Sequence, residues 1–186
     1  MPSVRPYLRT AVPRVDRYVV LSRPTGTDLA DAPDPDIRAL TDHLLDHVEE
    51  VRPRYRRAAR PWLRRGFLGY ALVQQERVAA VGWLAMNRSD RSLWADFVPL
   101  RPGEALLYGA WVRPDLRGAG LHTRLLRHRL AVASATRGVT STIITVMSRN
   151  TVSMHNSRKL GWQPIGDLTV LNFLTLHRGS RTQGPV

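Results

Sequence analysis

The feature that most constrains the fold is a segment in which an apolar strand runs through a glycine-rich turn into a helix. Residues 105–112 are almost continuously apolar, which is typical of a buried central strand. The turn carries Arg117, Gly118, Ala119 and Gly120, and apolar residues recur at helical spacing from position 121 onward. Such a turn directs backbone N–H groups outward at the positive end of a helix, and glycine lets a ligand approach the backbone. The segment therefore predicts a parallel crossover that binds an anion.

The surrounding charges indicate a phosphate-bearing ligand. Residues 116–166 contain eight Arg or Lys side chains and no Asp or Glu. The turn is not a Walker A loop, because no Gly-Lys-Ser or Gly-Lys-Thr closes it. It is also a poor dinucleotide motif, since Thr123 replaces the third glycine and no acidic residue follows about twenty positions later to bind a ribose.

In this segment the chain resembles the GCN5-related N-acetyltransferase (GNAT) superfamily. The family's acyl-CoA loop reads Arg/Gln-x-x-Gly-x-Gly/Ala after a strand that ends Val-x-Pro. Here Val112 and Pro114 match the strand end, and Arg117 and Gly120 match the loop, whereas His122 stands where Gly or Ala is expected. A second block, residues 150–162, resembles the family's Asn-x-x-Ala/Ser segment that continues to Lys-x-Gly-Phe.

The resemblance implies a set of residues that bind acyl-CoA. Backbone groups of the central strand would contact pantetheine, the amides of the glycine-rich turn would cradle the pyrophosphate, and an Asn at the start of the second block would also contact pantetheine. The residues so implied are Ala110, Val112, Arg117, Gly118, Ala119, Gly120, Leu121, His122 and Asn150. Asn150 could equally order the turn between strand and helix. His122 could contact a phosphate as imidazolium or keep a neutral structural role.

Transfer of an acyl group from a thioester to an amine requires a base for the amine, a donor for the oxyanion and a proton for the thiolate. No carboxylate in residues 116–166 can be the base, so Glu104, just before the central strand, is the first candidate. It lies near the position where relatives often carry a catalytic Glu, although it could also be a solvated loop residue. Asp96, in a loop with Trp94 and Phe97, is the second candidate. Tyr108 belongs either to the site or to the core.

The proton for the thiolate has no obvious donor. In many relatives a Tyr two residues before the motif's Lys supplies it, but this chain has Ser157 at that position. We expect His155 or Ser157 to replace it, so the predicted catalytic residues are Glu104, His155 and Ser157. Trp162, in place of the motif's Phe, is expected to pack in the core.

The order of predicted elements indicates an α/β (α+β) fold with a mixed, mostly antiparallel central sheet flanked by helices. Tyr18 to Leu21 predict the first strand, and Asp34 followed by Pro35 predicts the start of a helix that runs past Val48. A second helix is expected around Trp62, with Pro61 in its first turn. A hairpin at residues 67–84, the central strand, a helix, a strand, a short helix and closing strands follow. The resemblance adds that two central strands splay apart to admit pantetheine.

Domain organisation and location follow from length and composition. At 186 residues we expect one domain over 1–178 and a disordered tail over 179–186. The chain has no cysteine, which excludes disulfides, Cys-ligated zinc and a cysteine acyl-enzyme. Neither an apolar leader nor a run of membrane-spanning length is present, so a cytoplasmic protein that does not bind membranes is expected.

These observations predict an acyl-CoA-dependent N-acyltransferase that moves acetyl or another acyl group to a primary amine by direct attack, without a metal. The net charge of +13 keeps two alternatives open. An acidic acyl carrier protein could present the acyl group on the same phosphopantetheine arm. A non-catalytic nucleic-acid-binding module on the same fold is the other alternative, although no nucleic-acid motif is present and interleaved aromatic residues are sparse. The acceptor, a small molecule or a peptide, has no signature in the sequence.

Overall fold

The computed structural model of the protein describes residues 14–26, 34–88, 93–95, 98–173 and 176–183. The predictions made for Asp96, Phe97 and the side chain of Trp94 lie outside what the structure describes. Within the described residues the strands are β1 (Arg14–Pro24), β2 (Ile37–Ala39), β3 (Leu68–Gln74), β4 (Arg77–Met86), β5 (Leu93–Ala95), β6 (Val98–Leu100), β7 (Glu104–Val112), β8 (Ser141–Met147), β9 (Gln163–Phe173) and β10 (Leu176–Gln183). The helices are α1 (Asp42–Val51), α2 (Tyr55–Arg64), α3 (Leu121–Ala135) and α4 (Thr151–Lys159).

The described strands form one large mixed sheet and a small separate hairpin. The sheet has the order β10-β9-β1-β8-β7-β4-β3-β2, and β5 pairs only with β6. Every pair in the large sheet is antiparallel except β7 with β8, whose connection runs through α3. The predicted fold class, with its parallel crossover at the glycine-rich turn, is therefore confirmed. The first strand lies inside the sheet, between β8 and β9, and is longer than its apolar centre indicated.

The predicted start of the first helix is wrong. Residues 34–36 form a turn in which Asp34 accepts a hydrogen bond from the N–H of Asp36, and β2 follows by pairing with β3. The helix begins only at Asp42, after Thr41, whose hydroxyl oxygen accepts a hydrogen bond from the N–H of Leu44. Asp34 and Pro35 have the composition of a helix start. The Asp34 carboxylate, however, accepts hydrogen bonds from Arg124 instead of capping a helix.

Two further local expectations meet the structure differently. The hairpin of β3 and β4 is confirmed, and its turn residues Gln75 and Glu76 have φ of 48° and 62°, as a two-residue hairpin turn requires. The second helix exists, but Pro61 lies well inside α2 rather than in its first turn. The helix continues past it, since the N–H of Arg65 donates to the carbonyl oxygen of Pro61.

The expected tail also needs correction. Residues 179–183 belong to β10, which pairs with β9 from Leu176–Phe173 to Gln183–Gly166. The polar, glycine-containing sequence suggested disorder, but backbone pairing along β9 gives this segment a strand conformation that its composition does not indicate. Residues 184–186 lie outside the described residues.

The core lies on both faces of the sheet. On one face Leu45 of α1 and Ala59 of α2 belong to one core cluster with Trp83 of β4. On the other face Leu130 of α3 belongs to a second cluster with Trp162, just after α4, and neighbouring aliphatic side chains. The strands β7 and β8 lie between these two layers. A gap between β7 and β8 therefore opens directly into the interior of the protein.

Candidate active site

The two central strands β7 and β8 are paired at one end and diverge towards the other. They pair only over Glu104–Ser141, Ala105–Thr142 and Leu106–Ile143. From Tyr108 onward, β7 keeps β4 as its partner, but its other edge has no strand beside it within the described sheet. The predicted splay is therefore present, and it opens towards the carboxyl ends of both strands. It leaves a row of backbone groups at the edge of β7 available to a ligand.

A bulge in β7 lies in the open part of the splay, beyond the last pair with β8 at Leu106. Trp83 pairs with Tyr108 and Val81 pairs with Trp111, so two residues of β7, Gly109 and Ala110, lie opposite one residue of β4. Gly109 has φ of 60°, a conformation that glycine tolerates and other residues rarely adopt. A Cβ at Gly109 would lie 3.0 Å from Cδ1 of Trp83. Glycine is thus favoured here by its conformation, and a Cβ would also require Trp83 to shift by a few tenths of an ångström.

The open edge of β7 leads directly to the glycine-rich turn. A short 3₁₀ turn over Pro114–Leu116 follows the strand, and Gly120 begins α3 with φ of 74° and no side-chain cap. Gly118 has φ of 88°, and a Cβ at either glycine would meet no atom within 4 Å. Open space around uncapped N–H groups at a helix start is what an anion needs.

Arg124, in the first turns of α3, is not available to bind a phosphate. Its Nε and Nη2 atoms donate to both carboxylate oxygens of Asp34 at 2.8 Å, and Nη2 donates to Asp36 at 2.7 Å. The hydrogen bonds from Arg124 lower the pKa of the Asp34 carboxyl below its ordinary value. This ion pair ties the start of α3 to the turn before β2, whereas Arg117 in the loop itself remains exposed.

Arg129 occupies the opposite environment, buried directly behind the bulge. The residue is 1% exposed, and its Nη1 atom donates to the carbonyl oxygens of Trp83 at 3.0 Å and Tyr108 at 3.1 Å. Its Nε donates to the carbonyl oxygen of Leu125 at 3.2 Å. Burial lowers the pKa of Arg129 to about 10, so the side chain is still cationic at neutral pH.

Aromatic side chains line the other face of the bulge. The Trp62 ring of α2 makes edge contacts with Trp83, at a centroid distance of 5.1 Å, and with Tyr108, at 5.2 Å. A Cβ at Gly109 would lie within 4 Å of Trp62. The guanidinium of Arg52 lies 5.8 Å from the Trp111 ring centre, on the same face. An acceptor that approaches the bulge from this face therefore meets an aromatic wall with an arginine at its edge.

The structure does not bring Glu104 to the bulge. Glu104 is 7% exposed, and its carboxylate accepts a hydrogen bond from the N–H of Arg101 at 2.8 Å. It lies at the paired end of β7, five residues before Gly109, which is about 17 Å along a strand. The hydrogen bond between Glu104 and Arg101 stabilises the turn that precedes β7.

The two candidates on α4 differ in environment. Ser157 is 5% exposed, and its hydroxyl donates to the carbonyl oxygen of Ser153 at 2.8 Å, so its proton is already engaged. His155 is exposed to solvent. Asn150 caps the helix, since its side-chain oxygen accepts a hydrogen bond from the N–H of Ser153 at 3.1 Å. Trp162 is fully buried, where the sequence analysis expected it.

His122 is the second residue of α3, beside the glycine-rich turn. It is exposed as a residue, yet neighbouring protein atoms desolvate the imidazole and lower its pKa, and the positive charge of Arg129 lowers it further. A neutral imidazole at neutral pH follows from that direction.

Sequence reasoning missed two residues of this region. Arg129 is one of eight cations in residues 116–166, and its sequence neighbours do not distinguish it from exposed arginines such as Arg127. Asp16 lies before the apolar run that predicted the first strand, yet it lines a cavity of about 430 Å³ with Arg17, Ser148 and Arg149 at the carboxyl end of β8. The pairing of β1 with β8 brings Asp16 near the carboxyl end of β8, on the side of β8 that faces away from β7.

The part of the chain that the structure describes contains no cluster of His, Asp and Glu side chains that could hold a metal ion. Nor does any described helix have the length and apolarity to cross a membrane.

Comparison with known proteins gives one family and several structural neighbours. The model of the acetyltransferase (GNAT) family matches residues 37–162. That range contains the bulge, the glycine-rich turn and α4, but not β1. A search with the sequence among curated proteins finds no significant match.

Three solved structures illustrate the likeness in fold. A putative GNAT-family acetyltransferase from Novosphingobium aromaticivorans has a TM-score of 0.62 at 22% identity, over 84% of this chain and 63% of that one. The chain thus spans less than two thirds of that protein. The ribosomal-protein-S18-alanine N-acetyltransferase from Escherichia coli gives 0.51 at 21% identity, over 67% and 75%. The aminoglycoside N-acetyltransferase AAC(6')-Iy in complex with CoA gives 0.50 at 17%, over 69% and 91%.

Proposed function

The chain belongs to the acetyltransferase (GNAT) family, and we propose that it transfers an acyl group from acetyl-CoA, or another acyl-CoA, to a primary amine. One observation carries the proposal: the open edge of β7 leads without interruption from the Gly109 bulge to the glycine-rich turn at the start of α3. An acyl-CoA is a diphosphate joined to a long amide-containing arm. Its two parts would meet uncapped N–H groups at the turn and unpaired backbone groups along the strand.

Different residues along this edge would bind different parts of the acyl-CoA. Backbone groups of Ala110 and Val112 would hydrogen-bond the amides of the pantetheine arm, as an added strand does at a sheet edge. The amides from Arg117 to His122 would hold the pyrophosphate, with Arg117 adding its charge. Arg124 would not contribute charge to the ligand, because Asp34 and Asp36 engage it.

The amine would attack the thioester directly. A chain without cysteine cannot form a cysteine acyl-enzyme, so a complex with both substrates is the simplest route. An amine with a pKa near 10 is about one part in a thousand neutral at pH 7.4, and a base that captures this form is useful. An α-amine with a pKa near 8 would need much less help.

Among the described residues two carboxylates are candidates for that base. Glu104 was expected from the sequence, but it accepts a hydrogen bond that holds a turn at the closed end of the splay. Asp16 lines a cavity at the carboxyl end of β8 and is the candidate we favour. Comparing pH–rate profiles of Glu104→Gln and Asp16→Asn separates them, because removing the base eliminates the acidic limb of kcat/KM while removing a structural carboxylate does not.

The thiolate would receive its proton through α4. His155 is exposed to solvent, whereas the hydroxyl of Ser157 must first break its hydrogen bond to the carbonyl oxygen of Ser153. We therefore propose His155 ahead of Ser157. If His155→Gln matches the wild type and Ser157→Ala loses more than about tenfold in kcat, the order is reversed.

An acyl carrier protein is the alternative donor, supported by the cations on α2. Arg56 pairs with Asp42 and Asp46, but Arg57 and Arg64 are exposed and could dock an acidic surface. Such docking weakens steeply with salt.

The experiment that tests the proposal measures acetyl-CoA binding by calorimetry and amide formation by mass spectrometry with a panel of amines, at low and high salt. Binding with turnover supports the acyl-CoA route. Turnover only with acyl carrier protein, lost in high salt, would reassign the donor. Absence of acetyl-CoA binding together with binding of DNA or RNA at physiological salt would overturn the function itself.

A further inference from the structure

Arg129 is a buried cation whose partners are all backbone carbonyls. Burying a guanidinium is costly unless its N–H groups are hydrogen-bonded, and buried arginines commonly pair with carboxylates. Among the described residues no carboxylate forms an ion pair with Arg129, and its hydrogen bonds go to the carbonyl oxygens of Leu125, Trp83 and Tyr108. The positive charge is therefore not neutralised where it lies.

The sheet is shaped to admit this charge. A Cβ at Gly82 would lie 2.7 Å from Cζ of Arg129, so a larger residue at that position of β4 would force the guanidinium to move. Gly82 lies opposite Gly109 and Ala110, which form the bulge in β7. The Arg129 guanidinium, Gly82 and the bulge in β7 therefore lie next to one another.

The hydrogen bond to Tyr108 fixes the direction of the next amide. In a trans peptide the C=O and N–H bonds point in opposite directions. The carbonyl oxygen of Tyr108 points towards β4 and Arg129, since Nη1 contacts it and the paired carbonyl oxygen of Trp83 together. The N–H of Gly109 must then point away from β4, to the edge of β7 that β8 leaves uncovered.

We propose that Arg129 is a positioning residue for the acyl transfer: it holds and polarises the Tyr108–Gly109 peptide so that the N–H of Gly109 donates to the thioester carbonyl of the acyl donor. The inference rests on the proposed function, because it takes an acyl thioester to lie in the splay. Arg129 does not touch the substrate and acts only through this peptide and through its charge.

The reaction makes clear what the charge would do. The amine lone pair attacks the carbonyl carbon and forms the C–N bond, while the C=O π electrons move to the oxygen. Collapse of this oxyanion re-forms C=O and breaks C–S, whose electron pair leaves on the thiolate, and the proton released by nitrogen restores neutrality. Both anions form close to the Gly109 amide, so a fixed positive charge behind that amide stabilises them.

The size of the effect follows from distance. The path from Nη1 to the oxyanion crosses the hydrogen bond to Tyr108, the peptide and a second hydrogen bond, about 8 Å in all. At an effective dielectric constant of about 20, a unit charge at that distance changes the rate by about 30-fold. This is smaller than the loss of a direct oxyanion donor, as expected for a residue that acts through another.

The test uses a donor analogue that cannot react, acetonyl-CoA, in which a methylene separates the sulfur from a carbonyl labelled with ¹³C. We expect the ¹³C=O signal of the bound analogue to shift towards that of a polarised carbonyl in the wild-type protein. Arg129→Met and Arg129→Gln should lose most of this shift and about 30-fold in kcat, with KM for acetyl-CoA changed less than about threefold. Arg127→Gln, an exposed arginine of the same helix, is the matched control and should retain both.

Three outcomes decide the matter. A carbonyl signal in Arg129→Gln equal to that of the wild type would overturn the inference, even if the variant is less stable. Should Arg129→Met fail to fold, Arg129→Gln carries the test, because its amide still donates one hydrogen bond without the charge. If acetonyl-CoA does not bind the wild-type protein, the proposed function fails instead, before Arg129 is tested.

Discussion

The two ends of β7 have similar sequences and opposite roles. At the first end, Ala105 and Leu106 are apolar, buried and paired on both sides. At the second end, Ala110 and Val112 are also apolar, but Ala110 is exposed and neither is paired with β8. Side-chain polarity therefore does not mark the site in this strand. What marks it is the end of pairing with β8 at Leu106, followed by the bulge at Gly109.

This contrast assigns function to the backbone. At the paired end the N–H and C=O groups are hydrogen-bonded to neighbouring strands, so this end contributes stability. At the open end the corresponding groups on the β8 side can bind a ligand, and so can the N–H groups of the glycine-rich turn at the start of α3. Variants confined to one end of β7 can therefore show whether the two ends differ in function.

The largest effect is expected at the bulge. Gly109→Val places a β-branched side chain at φ of 60° and against Trp83, which would remove the bulge or displace the tryptophan. We expect kcat/KM for acetyl-CoA to fall at least about 100-fold, because the amide that faces the thioester moves. Steady-state kinetics with circular dichroism as a folding check measure this.

Gly66→Ala is the control for strain alone. Gly66 has φ of 74° and a Cβ there would meet no atom within 4 Å, but it lies in the turn before β3. It should lose a little stability and keep its activity. Equal activity losses in the two variants would mean that general strain, not the bulge, accounts for the effect.

The second effect concerns the glycine-rich turn. Gly120→Ala adds a methyl group in the space where we propose the pyrophosphate lies, at φ of 74°. The dissociation constant for CoA should rise about 10- to 100-fold, measured by calorimetry. Gly138→Ala, at φ of 85° beyond the other end of α3, carries the same type of strain and should bind CoA normally.

The third effect is on stability and depends on pH. Arg124→Met removes the partner of Asp34 and should lower the free energy of unfolding by about 1 kcal/mol at pH 7. The pKa of Asp34 is lowered in the folded protein, so its contribution is present above the ordinary value of 3.8 and is lost as pH falls through the lowered pKa. Urea unfolding of both proteins from pH 7 down to pH 3 should therefore show the difference shrinking at the acidic end. A difference that stays constant over this range would show that the ion pair is not its source.

The smallest effect is expected at the paired end. Glu104→Gln keeps the shape of the side chain and can still accept the hydrogen bond from Arg101, so kcat should change less than about threefold. Stopped assays over a range of pH check this. A loss of 100-fold or more would place the base at the closed end of the splay and would contradict the functional division of β7.

Features of the site that depend on local interactions could be predicted from the sequence, whereas features that depend on long-range contacts could not. The strand, the glycine-rich turn and the start of α3 were predictable, because apolar runs and glycine conformations are local signals. The bulge was not, since it exists only relative to Gly82 on β4. The early helix start at Asp34 failed for a related reason: Arg124, 90 residues away, engages the carboxylate that would have capped it. Arg129 was hidden among other arginines, because only packing against Gly82 distinguishes it.

An amide NMR titration of the isotope-labelled protein with CoA distinguishes the two ends of β7 most directly. We expect large shift changes at Gly109 to Val112 and at Gly118 to Leu121, and almost none at Ala105 and Leu106 of the same strand. Equal changes at both ends of β7, or changes confined to residues outside the splay and the turn, would contradict this expectation.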